Sequence, residues 1–210
     1  MDITTTIISL VILLFSAILH EIAHGAVAEY FGDYTARDLG RISLNPLVHI
    51  DPFMTVLLPL FLALSHSPFI FGGAKPVPVN YNNLRNYRWG IFWVSIAGIL
   101  TNLALAIIFL LPFRFFAMPV NLGSLFVLIA EINIILAVFN LIPFPPLDGA
   151  KVFSSLLGED AIEAVARFER RGVWATLPFL FIFLFLIGNG GLDLILSPVM
   201  NFFFRIFGVI

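Results

Sequence analysis

Three ionisable side chains fall within five positions of an otherwise apolar stretch, His20-Glu21-Ile22-Ala23-His24. The apolar pattern predicts a helix there. Spacing of i and i+4 puts both imidazoles on one face, one turn apart, where both can reach a single zinc ion. Glu21 directly follows the first imidazole and can take a proton from water and deliver it to a leaving amine. The plainer reading, a pair of hydrogen-bonded core histidines, fits poorly, because ionisable groups in an apolar span are costly and mark function by default. Ala17, Gly25 and Ala28 leave room for a partner helix. Zinc needs a third protein ligand. The other histidines are His49 and His66, and most acids lie in polar stretches. Asp148 stands apart, at the end of Phe139-Asn140-Leu141-Ile142-Pro143-Phe144-Pro145-Pro146-Leu147-Asp148-Gly149. Its prolines break a helix and free backbone groups, which at membrane depth is tolerated only against protein or a wet cavity. Gly149 permits a close approach or an unusual backbone angle. A carboxylate there suits a catalytic metal with one open position; the alternative is a solvated aspartate in a surface turn.

The elements that must position these groups are read from composition. The chain has 210 residues, 60% hydrophobic and 11% charged. Soluble domains carry about 25% charge, so this chain cannot cover itself with a polar surface, and it is far too apolar to be disordered. Net charge is −2 with no long basic run, which argues against nucleic acid as a partner. Cysteine is absent, so any metal must be held by His, Asp, Glu or carbonyl oxygens. Apolar runs cover residues 3–31, 52–71, 89–116, 121–142, 173–188 and 192–210. A span needs about 20 apolar residues. The first, third and fourth runs meet this, and the last two approach it. The unbroken core of the second, residues 53–64, contains Pro59 and is short enough to be re-entrant. The first run lacks the positive start and cleavage site of a signal peptide. Residues 75–80, Lys-Pro-Val-Pro-Val-Asn, cannot be helical, and residues 159–170 read as a short surface helix.

Together these residues resemble the site-2 protease family of intramembrane zinc metalloproteases, in its compact prokaryotic branch. The match rests on His20-Glu21-Ile22-Ala23-His24 and on Asn140 through Gly149, which is similar to the family pattern N-x-x-P-x-P-x-L-D-G. Asn45 to Pro52, Ala74 to Asn80, and Ala97-Gly98 with Asn102 add to it, so that it covers about residues 10–155. The resemblance implies one zinc per chain held by His20, His24 and Asp148, with Glu21 as general base and Asn140 near the scissile carbonyl or substrate backbone. The chain departs from the family at Ile99, where proline is usual, and at Phe53-Met54, where glycine is usual; neither change touches the metal chemistry. The implied substrate is a peptide bond in or near a transmembrane helix of another membrane protein. His49 is a candidate gate, and Lys75, Val77 and Val79 are candidates to pair with extended substrate through an edge strand. Asn133 either lines the substrate path or bonds between helices.

Topology follows from parity and charge. If the second run spans, His20 and Asp148 emerge on opposite faces; if it re-enters, they share one. In the re-entrant arrangement Arg37, Arg41, Lys75, Arg85, Arg88, Lys151, Arg167, Arg170, Arg171 and Arg205 lie on one side and only Arg114 on the other, a split of 10 to 1 against 3 to 8 for the spanning one. Positive residues favour the cytoplasmic side. The expectation is therefore an all-α polytopic membrane protein of about five spanning helices, with a re-entrant segment and short extended or β segments near the active site. It is expected as a single domain, residues 1–210, with a catalytic core at about 3–155 and a C-terminal helical pair at about 173–210. The N-terminus would be outside a prokaryotic plasma membrane and the active site toward the cytoplasm. A metal-ion transporter and a non-catalytic scaffold that binds membrane helices are the rivals. The sequence does not specify the oligomeric state.

Overall fold

The structure, a computed structural model, describes residues 3–64, 74–172, 190–191 and 193–209. His66 and the whole of the fifth apolar run lie outside the described residues. Within them the chain is helical: α1 (Ile3–Tyr30), α2 (Thr35–Asp38), α3 (Leu58–Leu64), α4 (Tyr87–Leu110), α5 (Val120–Asn140), α6 (Asp148–Leu157), α7 (Glu159–Glu169) and α8 (Asp193–Phe207). Short 3-10 turns cover Pro46–His49, Tyr81–Asn83 and Leu111–Arg114, and a π turn covers Pro52–Leu57. Three helical stretches, Ile3–Tyr30, Tyr87–Arg114 and Val120–Asn140, are long and apolar enough to cross a membrane. This is an all-α polytopic membrane protein. It folds with its polar groups inward: His20, His24, Asn102 and Asn133 are buried, while Ile3, Ile7, Val11, Phe15, Ile108 and Leu122 are exposed. A lipid solvent makes that inversion favourable, since apolar side chains need no shelter from acyl chains while polar groups must find partners inside.

Contacts divide the chain into two compact units, Met1–Thr101 and Asn102–Ile210, and the boundary falls within α4. In the first unit, α1 has 28 residues, about 42 Å at 1.5 Å per residue. The excursion that follows is closed at its base. Lys75 N–H donates to the His49 carbonyl at 2.7 Å, so the chain returns beside the point it left. The π turn and α3 between them amount to about 20 Å of helix, short of the ~30 Å hydrocarbon core. Residues 74–80 are extended, but no strand occurs among the described residues. Pro76 and Pro78 have no N–H to give a ladder, and the neighbouring amides are bonded elsewhere. The loops are tied together by Asp33, which is fully buried. Its carboxylate accepts from Thr35 N (3.2 Å), Thr35 Oγ1 (2.5 Å), Asn80 N (2.7 Å) and Asn83 Nδ2 (2.9 Å).

In the second unit, Asn102 Nδ2 donates to Asn133 Oδ1 at 2.9 Å, joining the end of α4 to α5. Both side chains are fully buried. Asn133 thus takes the inter-helix role open to it from sequence. Beyond this bond, Ala106, Leu110, Ala130 and Ile134 form a core against which Val199, Met200, Phe203 and Phe204 of α8 pack. Helices α6 and α7 form an amphipathic pair beyond α5. Lys151 Nζ donates to Glu169 Oε1 at 2.6 Å, and Phe144 stacks edge-on against Phe168.

Candidate metal centre

Helix α1 carries His20 and His24 on its buried face, 7% and 8% exposed. At 1.5 Å per residue they lie about 15 and 9 Å back from the helix end at Tyr30, within the apolar span. The Nε2 atoms of the two rings face each other at 2.9 Å. His24 Nδ1 lies 2.6 Å from the Val94 carbonyl. A carbonyl only accepts, so Nδ1 carries the proton and Nε2 presents its lone pair, the tautomer a metal needs. Two Nε2 atoms on one zinc at about 2.1 Å each would stand roughly 3.4 Å apart in tetrahedral geometry. The observed pair is a few tenths of an ångström closer, so a small opening fits the ion.

Gly98 is what lets α4 come this close. A Cβ there would lie 2.5 Å from Cε1 and Nε2 of His20 and 2.6 Å from Nε2 of His24. Sequence reasoning connects Gly98 only with helix packing; in the fold it forms the floor beneath both imidazoles. Its neighbour Ile99, where the family usually has proline, is buried and lies within the unbroken helix. Glu21 is half-buried, and its Oε2 accepts the main-chain N–H of Val77 at 2.7 Å. Neither this bond nor the Val94 carbonyl is visible in a residue pattern, because both partners are main-chain atoms remote in sequence. An open groove of about 460 Å³ runs along the same two helices, lined by Val27, Tyr30, Phe31, Trp93, Ala97 and Leu100; its apolar walls offer no metal ligand.

The remaining first-unit candidates occupy the loops. His49 is fully buried, with Nε2 2.8 Å from the Ser43 carbonyl, a bond inside its own loop. Lys75 is exposed, Val77 buried and Val79 half-buried. The main-chain N–H groups of Lys75 and Val77 are already bonded, to His49 and Glu21.

In the second unit, α5 ends at Asn140, whose Nδ2 donates to the Leu136 carbonyl at 3.0 Å. The proline-rich turn then closes on itself through Phe144 N–H to Ile142 O (2.8 Å) and Leu147 N–H to Phe144 O (2.9 Å). Asp148 opens α6, where the helix dipole favours a carboxylate. Gly149 lets the turn pack on its own backbone. A Cβ there would collide with the carbonyl groups of Leu141 and Ile142. The glycine after Asp148 is therefore a steric requirement of the turn that presents the carboxylate.

Residues 115–185 match the family model described as peptidase family M50. The chain is 35% identical over 198 residues to YwhC of Bacillus subtilis, a protein named as a candidate zinc metalloprotease, covering 90% of this chain and 84% of that one. Two mycobacterial proteins, each named as the candidate zinc metalloprotease Rip2, are also similar. The Mycolicibacterium smegmatis protein is 32% identical over 76% of this chain and 61% of its own length, and that of Mycobacterium tuberculosis strain H37Rv 30% over 94% and 69%. No solved structure matches the chain significantly.

Proposed function

Because the chain belongs to the site-2 protease family, peptidase family M50, and is a zinc metalloprotease of that family, we propose that it hydrolyses peptide bonds in or near transmembrane helices of other membrane proteins. The observation that carries this reading is the pair of buried imidazoles in a membrane-length helix, their Nε2 atoms 2.9 Å apart and His24 locked in the ligating tautomer by Val94. In this reading His20, His24 and Asp148 hold one zinc, two imidazoles and a carboxylate being a ligand set that leaves a catalytic zinc one open position. When bound, zinc polarises a peptide carbonyl and lowers the pKa of water to about 7. Glu21 takes the proton from water at the oxygen not held by Val77 and returns it to the departing amine nitrogen. Asn140 and His49 orient the substrate or its approach. The strap from Lys75 to Val79 receives the unwound substrate through the backbone groups of Val79 and the Val77 carbonyl.

The site faces the cytoplasm and the N-terminus the outside, in a prokaryotic plasma membrane. This rests on the 10-to-1 distribution of basic residues and on the closed base of the excursion between His49 and Lys75. Reporters fused near Ala117 and near Asn82 must then report from opposite sides. The chemical reading is tested by metal analysis of the purified protein with hydrolysis of a membrane-helix peptide in proteoliposomes. Glu21→Gln should keep one zinc and lose cleavage, and Asp148→Ala should lose zinc. An Asp148→Ala protein that still binds one zinc with wild-type affinity would sink the ligand assignment.

A further inference from the structure

Glu21 is tethered across 56 residues of sequence to a main-chain amide, Val77 N–H, at 2.7 Å. That amide sits in the proline-flanked strap 74–80, and the strap's other bonds hold its register. Lys75 N–H donates to the His49 carbonyl (2.7 Å), and Asn80 N–H donates to Asp33 (2.7 Å). Arg41 donates to the carbonyls of Lys75 (2.9 Å) and Pro76 (3.2 Å). Pro76 and Pro78 keep the strap extended and remove the neighbouring donors. One further tie is steric. Val77 is 7% exposed, and its Cγ1 lies 3.0 Å from where a Cβ on Gly25 would stand. Gly25 is four residues past Glu21, one turn along the same helix face. A Cβ at residue 25 would crowd Val77, so the glycine lets the strap lie close on α1, where the Val77 amide meets the Glu21 carboxylate.

We infer that the strap is a positioning element for Glu21, its Val77 N–H holding Oε2 so that Oε1 alone is left to exchange a proton with the reacting groups. A glutamate has three side-chain torsions, and fixing one oxygen removes most of the freedom that would otherwise misplace the base. The role assigned to Glu21 rests on the proposed proteolysis; the tether itself does not.

Hydrogen exchange on the purified full chain reads the tether directly. Between Lys75 and Asn80 only the amides of Lys75, Val77, Val79 and Asn80 exchange, because the other two residues are prolines. Glu21→Ala should accelerate exchange in this segment by about tenfold or more, the scale of a hydrogen bond to a charged group. Glu21→Gln, which keeps an acceptor oxygen, should retain most of the protection. Unchanged exchange in Glu21→Ala overturns the inference whether or not the protein is a protease. A backbone ester at residue 77 removes the N–H and keeps the side chain. With zinc content intact it should lower kcat for the membrane-helix peptide about 10- to 100-fold with KM within about twofold. Wild-type kcat in the ester protein also overturns the inference, and if that protein does not fold, the exchange comparison decides. Absence of hydrolysis by the wild-type protein would count against the proteolytic reading instead, and the exchange result would stand by itself.

Discussion

Replacing Gly98 with alanine adds one methyl group beneath the two imidazoles. It would sit 2.5 Å from Cε1 and Nε2 of His20 and 2.6 Å from Nε2 of His24. Non-bonded heavy atoms prefer about 3.5 Å or more, so each ring meets an overlap of about 1 Å. The helix carrying residue 98 is held at the same place, because its Val94 carbonyl bonds His24 Nδ1 at 2.6 Å. The rings must therefore yield. Zinc–ligand distances tolerate only about 0.2 Å, several times less than the displacement required. Disturbing contacts that orient metal ligands typically lowers affinity 10- to 100-fold, and the size of this overlap points to the upper end, about 2.7 kcal/mol. The assay is zinc competition against a chelator on purified protein, with circular dichroism to establish retained helix. Gly123→Ala is the matched control on α5: its nearest atoms, on Met118 and Phe113, would be at 3.5 Å, and its zinc affinity should equal wild type. A folded Gly98→Ala protein with wild-type zinc affinity would refute the reasoning, since no ion held by both Nε2 atoms could ignore that methyl.

Gly149→Ala should destabilise the protein by more than about 3 kcal/mol, because its Cβ collides with backbone carbonyls that cannot rotate away; a thermal midpoint close to wild type would contradict this. For Asp33, burial pushes the carboxyl pKa up, but hydrogen bonds from Thr35, Asn83 and the main-chain amides of Asn80 and Thr35 outweigh it and hold the group below its ordinary value. A depressed carboxyl contributes stability that is complete above the unfolded pKa, about 3.9, and is lost as pH falls through the folded value. The stability gap between wild type and Asp33→Asn, followed by thermal unfolding from pH 6 downward, should therefore hold constant to about pH 5 and close below about pH 4; a gap that widens on acidification would reverse the sign. Asn102→Ala should cost about 0.6–2 kcal/mol by removing the Asn102 donor from Asn133 Oδ1 in an apolar interior, and the Asn102→Leu, Asn133→Leu double variant should recover part of that loss in a double-mutant cycle.

Much of the fold and of the candidate site is legible in particular residues. His20 and His24 share a helix face because their spacing is one turn, and the prolines before Asp148 end α5 wherever the helix happens to pack. The unbroken core of the second run, residues 53–64, is short enough to raise the expectation of a re-entrant segment from length alone. Less was legible where main-chain atoms act. The extended stretch 75–80 is apparent from its prolines, yet an edge strand is the natural expectation for it, and among the described residues it pairs with no strand. Its amides go instead to a carbonyl in one loop and to a carboxylate on α1, partners that no local pattern names.

Composition and spacing by themselves determined that this chain lives in a bilayer and that a two-histidine, glutamate-bearing helix is its candidate chemical centre. These follow from transfer free energies and helix geometry, which depend on residue type and nearby sequence. Tertiary structure alone decided which ring nitrogen of His24 is available, why a side chain at residue 98 or 149 would collide with its surroundings, and what holds Glu21. Those answers depend on which backbone atoms come within 3 Å of one another, and that distance is set by packing between segments far apart in the chain.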